Sequence, residues 1–254
     1  MKTLNQFYGS LYLPVKPKHI NQAFGDKTNL QWYRDHGIIF LGHNGIDYAA
    51  KHGQPIYASH DGAAYYEVDG SSGHGVVICS DELVSHDGVV SNYKTIYWHM
   101  CDPVKEPKYR SPIYGNIPVK VKAGDLIGYA DSTGVSGGDH LHFGFKWGSY
   151  GEPPAKWFNL NPDNGYNGAS DPTPYMSEIF AADLVKFRYD LYFGMVDVKV
   201  VELQNFLGIS PNGPFGPKTL AAVRKFQSQN GILSTGYVGP KTRALLNQLT
   251  SIVK

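Results

Sequence analysis

The sequence predicts an α+β protein in which a mainly antiparallel β domain is followed by a small all-α domain. From Gly37 onward, short apolar runs alternate with turn clusters such as DGSSGHG and SHDGVVSN, as is typical of strands joined by hairpins. After about Phe187 the apolar residues recur every three or four positions, which indicates helices. The turn-rich stretch NPDNGYNGASDPTP, residues 161–174, keeps neither period. We therefore predict a first domain at 1–163, a linker at 164–186 and a second domain at 187–254.

Each extended segment of the first domain is short and bounded by Gly, Ser, Asn or Asp. The predicted strands lie in GIIFLGHNGIDYAA, QPIYAS, GAAYYEV, GVVICS, YKTIYWHM, KVKAGDLIGYA and HLHFGFKW. The insert CDPVKEPKYRSPIYGNIP is rich in proline and charge and predicts a long surface loop. In the linker, SEIFAADLVKFRYDL predicts a helix with Ser177 as its N-cap.

The second domain contains a sequence repeat. PFGPKTL at 214–220 recurs as YVGPKTR at 237–243, and each is followed by a segment of helical period. The proline of each copy suits the first turn of a helix. Together with VKVVELQNFL, these segments predict a compact three-helix unit.

Charge is distributed unevenly along a chain whose net charge is +1. Residues 187–254 contain eight Lys or Arg and three Asp or Glu, giving +5, whereas the remainder contains fifteen and nineteen, giving −4. A basic C-terminal module suits a polyanionic surface, although ordinary variation in a small domain would also explain it. No GxxxxGK[ST] loop is present and the aromatic strands lack interleaved basic residues, so we expect no nucleic-acid partner.

The composition predicts neither membrane insertion nor a disulfide framework. No apolar run is long enough to cross a bilayer, and the first residues, MKTLNQFYGSLYLP, contain no continuous apolar segment. We expect a protein made in the cytoplasm that reaches its target after lysis, or one that is secreted if a leader has been removed. Only two cysteines are present; Cys79 in GVVICS is predicted to be buried, and the redox state of Cys79 and Cys101 stays open.

Histidines point to a metal site in the first domain, since all ten precede residue 143. In GGDHLHFGF, an extended backbone places His140 and His142 on one face, with apolar residues on the other. In HNGID, an extended backbone likewise aligns His43 and Asp47. Either pattern alone is also explained by ordinary surface residues. Together they supply enough ligands for zinc, which takes about four, with one position left to water at a catalytic site.

Two rival active sites fit the sequence poorly. GVSGG at 134–138 matches GxSxG, but a nucleophile elbow needs a following helix and a strand follows here instead. Cys101 and His99, two positions apart on a strand, point the same way rather than towards each other, and they lack a cysteine-protease context. The other histidines are predicted to be loop or surface residues, with His36 and His74 at the border of the cleft: His19, His36, His52, His60, His74 and His86.

Three segments of the first domain resemble the signatures of the lysostaphin-type (M23) zinc peptidases, in the same order. They are GHNGIDYAAKHGQPIYASHDG, TIYWHM and AGDLIGYADSTGVSGGDHLHFGF, and the resemblance covers roughly residues 14–150. It implies an M23-like fold in which one zinc ion per chain is held by His43, Asp47 and His142. It further implies that His140 acts on the zinc-bound water and that His99 donates a hydrogen bond to the developing oxyanion.

The sequence departs from the family pattern near the expected site. A glutamate often follows HLHF, but here the residue is Gly144. The loop after His99 and the segment KTNLQWYRDHGIIFLG are longer than expected. We expect both to flank the cleft and to affect the choice of substrate.

The C-terminal segments DVKVVELQNFL, FGPKTLAAVRKFQ and VGPKTRALLNQ resemble the three-helix peptidoglycan-binding domain of cell-wall hydrolases. The two resemblances together imply a monomeric zinc metalloendopeptidase that cuts cross-bridge or stem-peptide bonds in bacterial peptidoglycan. One catalytic domain joined to one wall-binding domain is typical of a phage-type endolysin. The alternatives are a host cell-wall remodelling hydrolase, a non-catalytic peptidoglycan-binding or activator protein, and a C-terminal helical cap without a ligand.

Overall fold

The chain divides into two compact units, which we call the first unit (Met1–Asp183) and the second unit (Leu184–Lys254). The structure is a computed structural model that describes residues 1–16, 18–150, 157–181, 187 and 189–251. The predicted fold class is confirmed: the first unit is mainly antiparallel β, and the described residues of the second unit form three α-helices.

The first unit contains fourteen strands and two short helices among its described residues. The strands are β1 (Lys2–Thr3), β2 (Leu11–Leu13), β3 (Ile20–Gln22), β4 (Ile46–Ala49), β5 (Pro55–Tyr57), β6 (Gly62–Asp69), β7 (Gly73–Cys79), β8 (Val84–His86), β9 (Val89–Met100), β10 (Val119–Val121), β11 (Leu126–Tyr129), β12 (His140–Tyr150), β13 (Trp157–Asn159) and β14 (Met176–Phe180). The helices are α1 (Leu4–Phe7) and α2 (Leu30–Asp35), with 3₁₀ turns at Pro107–Tyr109 and Thr173–Tyr175.

One large sheet organises the first unit, with the strand order β10-β6-β7-β9-β12-β4-β3. Every pairing along this path is antiparallel. The long strands β9 and β12 form the middle of the sheet, with register partners from His142↔Trp98 to Gly148↔Asn92. This arrangement brings the TIYWHM, HNGID and HLHFGF segments onto neighbouring strands.

The two faces of the central strand β12 differ in their surroundings, as its alternating sequence predicts: one packs into the core and the other lines a cavity. Leu141, Phe143 and Phe145 are completely buried in the main core, where Tyr97 meets the Phe143 ring edge-on with centroids 5.3 Å apart. Each such side chain contributes about 1.5–3 kcal/mol through removal from water. The opposite face of the strand carries His140, His142, Gly144 and Lys146, and all four line a cavity.

The segment after residue 163 differs from the prediction. Residues 164–181 belong to the first unit rather than to a linker. The sequence predicts a helix that begins at Ser177. This prediction is wrong for Ser177–Phe180, because Met176–Phe180 forms β14, which runs parallel to β2. Met176 and Phe180 pack against the main core, and this tertiary contact overrides the local helical pattern. The remaining linker residues 182–186 lie outside the described residues.

The predicted three helices of the second unit are α3 (Val198–Phe206), α4 (Pro217–Gln229) and α5 (Pro240–Ser251). Asp197 caps α3, because its carboxylate accepts a hydrogen bond from the Lys199 backbone N–H at 2.7 Å. The α4 helix begins at its proline, as the repeat predicts. The helices enclose a separate apolar core: Phe187, Leu191, Val200, Leu203, Phe215, Val223, Val238 and Leu246.

Two buried glutamines explain the internal repeat in physical terms. The Gln204 amide N–H₂ donates to the Pro214 carbonyl at 2.9 Å and to the Thr219 hydroxyl at 2.9 Å. Twenty-three positions later, Gln227 donates to the Tyr237 carbonyl at 2.8 Å and to the Thr242 hydroxyl at 3.0 Å. Each carboxamide thereby holds the loop that enters the next helix.

Among the described residues, no helix combines the length and apolarity needed to span a membrane.

Cys79 is buried as predicted, with 4% of its surface exposed, and burial raises the pKa of its thiol to about 12. His60 lies in the loop between β5 and β6, within the prediction that it is a loop or surface residue, but it is buried. It is 5% exposed, and its ring lies among Thr95, Tyr93 and the Asp61 carbonyl.

Candidate active site

The predicted site residues meet at one end of a cavity of about 500 Å³ on the polar face of the sheet. His43, Asp47, His99, His140 and His142 all line it. Its floor is formed by alternate residues of β12 and β9, and its wall includes the segment that precedes His43. The structure therefore brings together the five residues that the sequence singled out.

Three side chains present donor atoms to a common point. The His43 Nε2 lies 3.0 Å from the His142 Nδ1 and 3.1 Å from the Asp47 Oδ1, and His142 Nδ1 lies 3.0 Å from the same Asp47 oxygen. His43 is 4% exposed and His142 9% exposed, so the group is shielded from bulk water. Among the described residues, this trio is one of two groups whose ligand atoms are close enough to share a metal ion.

Sheet register brings two of these ligands together, and a loop supplies the third. His142 on β12 is the register partner of Asp47 on β4. His43 precedes β4, so the prediction that an extended HNGID strand aligns His43 with Asp47 is wrong in its local geometry. Instead, backbone hydrogen bonds fix the loop: His43 N–H donates to the Asp26 carbonyl and Gly25 N–H to the His43 carbonyl, both at 2.8 Å.

Gly45 is required by the close approach of this loop to β12. A Cβ at this position would lie 2.6 Å from the Phe143 carbonyl oxygen and 2.7 Å from the His142 Cε1. Contacts this short do not occur between real side-chain carbons and their neighbours. The glycine of HNGID therefore allows His142 to sit beside Asp47.

The tautomer of His43 is set by its backbone neighbour. Its Nδ1 lies 3.2 Å from the Ala23 carbonyl, and a carbonyl oxygen only accepts, so Nδ1 carries the proton. The lone pair of Nε2 is then directed at Asp47 and His142. A carbonyl that orients a histidine in this way is the usual support of a metal ligand.

The donor set fits zinc. Two imidazole nitrogens and a carboxylate oxygen are zinc ligands, and three protein ligands leave the fourth position to water at a catalytic site. Tetrahedral zinc with bonds of about 2.0 Å separates its ligand atoms by about 3.3 Å, close to the observed spacing. Burial alone would raise the pKa of Asp47, but its close contacts with the His142 and His43 imidazoles hold it well below its usual range, so the carboxylate is ionised. Burial lowers the pKa of His142, which favours the neutral ligand form.

His140 and His99 flank the trio on one side. Their ring centroids are 4.5 Å apart, and the His140 Nε2 lies 3.6 Å from Asp47 Oδ1. The His140 Nδ1 donates to the Gly138 carbonyl at 2.8 Å, and the His99 Nδ1 donates to the Thr133 carbonyl at 2.7 Å. In their neutral forms both rings therefore carry their lone pair on Nε2.

A β-bulge turns His99 towards the cavity. The register between β7 and β9 passes from His74↔Met100 to Val76↔Tyr97, so β9 contains one residue more than β7 over this interval. His99 adopts a φ of 61°, a left-handed conformation that is uncommon for a residue other than glycine. As a result, the consecutive residues Trp98 and His99 both line the cavity, whereas in a regular strand their side chains would point to opposite faces of the sheet. Burial, followed by the charges of His142 and His140, lowers the pKa of His99 to about 4.

The second group of potential metal ligands has a simpler explanation. His52 places its two ring nitrogens 3.0 Å from Asp131 and 2.9 Å from Glu106. The hydrogen bond to Asp131 raises the pKa of His52, as expected of an imidazolium between two carboxylates. The nearby Cys101 thiol is buried, which raises its pKa to about 12, and it donates to the Ala130 carbonyl. These contacts describe an ion-pair cluster.

The GVSGG segment does not form a nucleophile elbow. No helix follows Ser136, whose hydroxyl instead donates to the Gly138 carbonyl at 2.8 Å. Of the residues predicted at the cleft border, His36 is exposed and stacks near Trp32, and His74 contacts the Tyr66 hydroxyl at 2.6 Å. Neither lines the cavity.

Sequence reasoning missed several residues that shape this site. Trp98 and Tyr33 line the cavity, and Lys94 and Lys146 form its floor beyond the histidines. A signal for Lys146 was present, because it continues the alternation that begins at His140. Lys94 could be located only once the pairing of β9 with β12 was known.

Comparisons with known proteins agree with this geometry. Residues 41–154 match the profile described as Peptidase family M23, and residues 199–246 match a putative peptidoglycan binding domain. An uncharacterised protein of Kitasatospora aureofaciens is 36% identical over 92 residues, which is 36% of this chain and 70% of the relative. The DD-carboxypeptidase/endopeptidase Mpg of Neisseria meningitidis is 31% identical over 144 residues, which is 56% of this chain but 27% of the relative.

Solved structures with a similar fold include a zinc-containing peptidase from Vibrio cholerae, at 22% identity and a TM-score of 0.42 over 65% of this chain and 40% of that one. Lysostaphin from Staphylococcus simulans matches at 20% identity with a TM-score of 0.41, over 63% of this chain and 49% of that one. The matched residues 41–154 contain the histidines and the aspartate of the candidate site. The chain thus belongs, through its first unit, to peptidase family M23 and carries a C-terminal domain of the peptidoglycan-binding family.

Proposed function

We propose that this chain is a zinc metalloendopeptidase that hydrolyses cross-bridge or stem-peptide bonds in bacterial peptidoglycan. The observation that carries the proposal is the convergence of donor atoms from His43, Asp47 and His142 within 3.1 Å of one another. His140 and His99 lie beside this group at the mouth of a peptide-sized cavity. Zinc held by the three ligands would make bound water more acidic and polarise the scissile carbonyl.

The two flanking histidines would handle the proton. Since Nδ1 of each ring donates to a carbonyl, the neutral Nε2 of His140 accepts a proton from the attacking water. The protonated ring can then return that proton to the leaving amine. The Gly138 carbonyl keeps the imidazole in the required tautomer throughout.

His99 has a separate role in this proposal. The low pKa that burial gives it makes the ring neutral before the reaction. To donate a hydrogen bond to the developing oxyanion, His99 must therefore gain a proton at Nε2 during the reaction. That proton would come from solvent water entering the cavity, because the one proton that His140 takes up is returned to the leaving amine.

The second unit would hold the enzyme on its substrate. It matches a peptidoglycan-binding domain, and residues 187–254 carry a net charge of +5. The Neisseria relative is described as a carboxypeptidase and endopeptidase, which supports a wall peptide as the substrate class. That relative is much longer than the aligned segment, so the activity of the whole protein enters here as support for the proposal.

The test is digestion of purified cell walls by the chain stripped of metal and then reloaded with zinc. Mass spectrometry of the released muropeptides should show new amino termini only after zinc addition. His142→Ala should release none, whereas the exposed control His19→Ala should match the wild type. Sedimentation with walls without any release would contradict the proposal and favour a binding or activator protein.

We further propose that the protein acts as a phage-type endolysin, made in the cytoplasm and released at lysis. The support is the pairing of one catalytic domain with one wall-binding domain. Gene neighbours provide the test, since an endolysin gene lies within a lysis or phage cassette. A location far from such genes would favour a host remodelling hydrolase.

A further inference from the structure

The floor of the cavity carries two lysines directly opposite each other. Lys146 on β12 is the register partner of Lys94 on β9, and both line the same cavity as the histidines. Directly opposed residues of antiparallel strands share a face, with their Cβ atoms about 5 Å apart. Like charges in such a pair are destabilising, so the arrangement calls for an explanation.

Burial makes it less favourable for both lysines of this pair to be charged. Lys146 is 8% exposed, and burial, together with the positive charge of Lys94, lowers its pKa to about 8. Burial also lowers the pKa of Lys94. A buried ammonium is expensive unless an opposite charge or hydrogen bonds compensate it. Glu67 lines the same cavity and favours the charged form of both lysines.

A purely structural role accounts for only part of this arrangement. The Lys146 Nζ donates to the Asn167 backbone carbonyl, which ties the loop after β13 to the sheet. That bond uses one of the three N–H donors of the ammonium. Two N–H donors of Lys146 remain for a ligand in the cavity, on the face of the sheet that Lys146 shares with Lys94.

The lysine pair lies at a distance from the histidines that suits an extended peptide. Lys146 is four residues beyond His142 on the same strand, which corresponds to about 13 Å at the usual rise per residue. Gly144, Ile96 and Val77 line the cavity between the two groups. Since Gly144 has no side chain, β12 offers no obstruction between the catalytic end and the lysine end.

We propose that Lys94 and Lys146 form a subsite for a carboxylate of the peptide substrate, three or four residues from the bond that is cut. This inference rests on the proposed function, because it takes the histidine end as the place of cleavage. The ligand is either a side-chain or a C-terminal carboxylate. Two ammonium groups would form charge-assisted hydrogen bonds with its oxygens, and an amide in its place would lose them.

The experiment compares wall peptides with their amidated forms. Purified soluble muropeptides are used directly or after carbodiimide-coupled amidation of their carboxylates. The proteins are the wild type, Lys94→Met, Lys146→Met, the double variant and the exposed control Lys51→Met. Calorimetry gives the Kd for uncross-linked peptides, and product analysis gives kcat/KM for cross-linked ones. The second unit is unchanged in all five proteins, so its binding cancels from the comparison.

In the wild type and in Lys51→Met, amidation should weaken binding and lower kcat/KM about tenfold, since one charge-assisted contact is worth roughly 1.4 kcal/mol or more. The double variant should treat both forms alike, with a Kd and a kcat/KM for the acid form that fall to the values the wild type shows for the amidated form. Synthetic peptides amidated only at the C-terminus, or carrying Gln in place of Glu, then identify which carboxylate is bound.

Three results are decisive for the lysine subsite. Equal binding of acid and amide forms by the wild type would overturn it. So would a double variant that discriminates as the wild type does, or one that loses affinity for both forms equally with a lower midpoint of unfolding. If zinc-loaded wild type cleaves neither form but binds the acid form more tightly through the lysines, the subsite stands and the proposed hydrolase function fails.

Discussion

The Nε2 of His43 lies 3.0 Å from the Nδ1 of His142, although 99 positions separate the two residues in the chain. The pairing of β4 with β12 and the loop before β4 produce this contact together. The Asp47 Oδ1 contacts both nitrogens, so three side chains meet at this point. The site is therefore a product of the fold, and changes that disturb either element should disturb metal binding.

Gly45→Ala tests the close approach of the loop to β12. The added Cβ would lie 2.6 Å from the Phe143 carbonyl, so the loop or the His142 ring must shift. We expect a loss of about 1–3 kcal/mol in the free energy of unfolding and weaker zinc binding. Unfolding is followed by tryptophan fluorescence, since all four tryptophans lie in the first unit. Gly70→Ala is the control because its Cβ would meet nothing within 4 Å, and equal behaviour of the two variants would contradict the account.

The buried His60 predicts a loss of stability in acid. Burial lowers its pKa to about 4 in the folded state, whereas the unfolded value is about 6.5. The unfolded chain therefore binds a proton first as the pH falls. The stability contribution of neutral His60 is complete above pH 6.5 and is lost progressively towards pH 4, by about 3 kcal/mol.

Comparison with His60→Gln isolates this contribution from those of the other histidines. Its stability deficit relative to the wild type, from urea unfolding followed by tryptophan fluorescence, should shrink by about 3 kcal/mol between pH 7 and pH 4. Asn21→Gln, a change at an exposed residue that removes no titratable group, should give a pH-independent difference. A constant deficit for His60→Gln would show that His60 is accessible to protons in the folded chain.

Gln227→Leu tests the carboxamide that links α4 to the following loop. The substitution leaves the Tyr237 carbonyl and the Gly236 N–H without their bonds of 2.8 Å. Loss of partners by such buried groups costs about 1–3 kcal/mol each, so the second unit should unfold markedly earlier by circular dichroism. Gln229→Leu, on the exposed end of the same helix, should have little effect. Similar melting of both variants would argue against the glutamine as the source of the repeat.

A chain ending at Asp183 tests whether the second unit anchors the enzyme. Attachment to a repetitive polymer raises the effective concentration of substrate without new contacts at the active site. We expect activity on intact walls to fall by at least about tenfold, while activity on soluble muropeptides changes little. Equal losses on both substrates would indicate that the second unit supports folding of the first.

Alternation along β12 was predictable from sequence because its two faces differ so clearly in chemistry. The orientation of His99 was not, since a bulge and a positive φ depend on how β7 pairs with β9. The position of β14 was also missed, because Phe180 and Leu184 are four positions apart, which is a helical spacing, and only packing against the main core selects the strand. The lysine pair likewise needs a register that local sequence does not contain.

Zinc binding by Asp47→Asn, beside the exposed control Asp81→Asn, tests the central claim most directly. Titration against a competing chelator, with X-ray absorption of the zinc-loaded chain, gives both affinity and ligand type. We expect one zinc per chain bound through nitrogen and oxygen only, with affinity unchanged in Asp81→Asn and reduced more than about 100-fold in Asp47→Asn. An unchanged affinity in Asp47→Asn, or a sulfur ligand from the Cys101 cluster, would place the metal elsewhere and contradict the account.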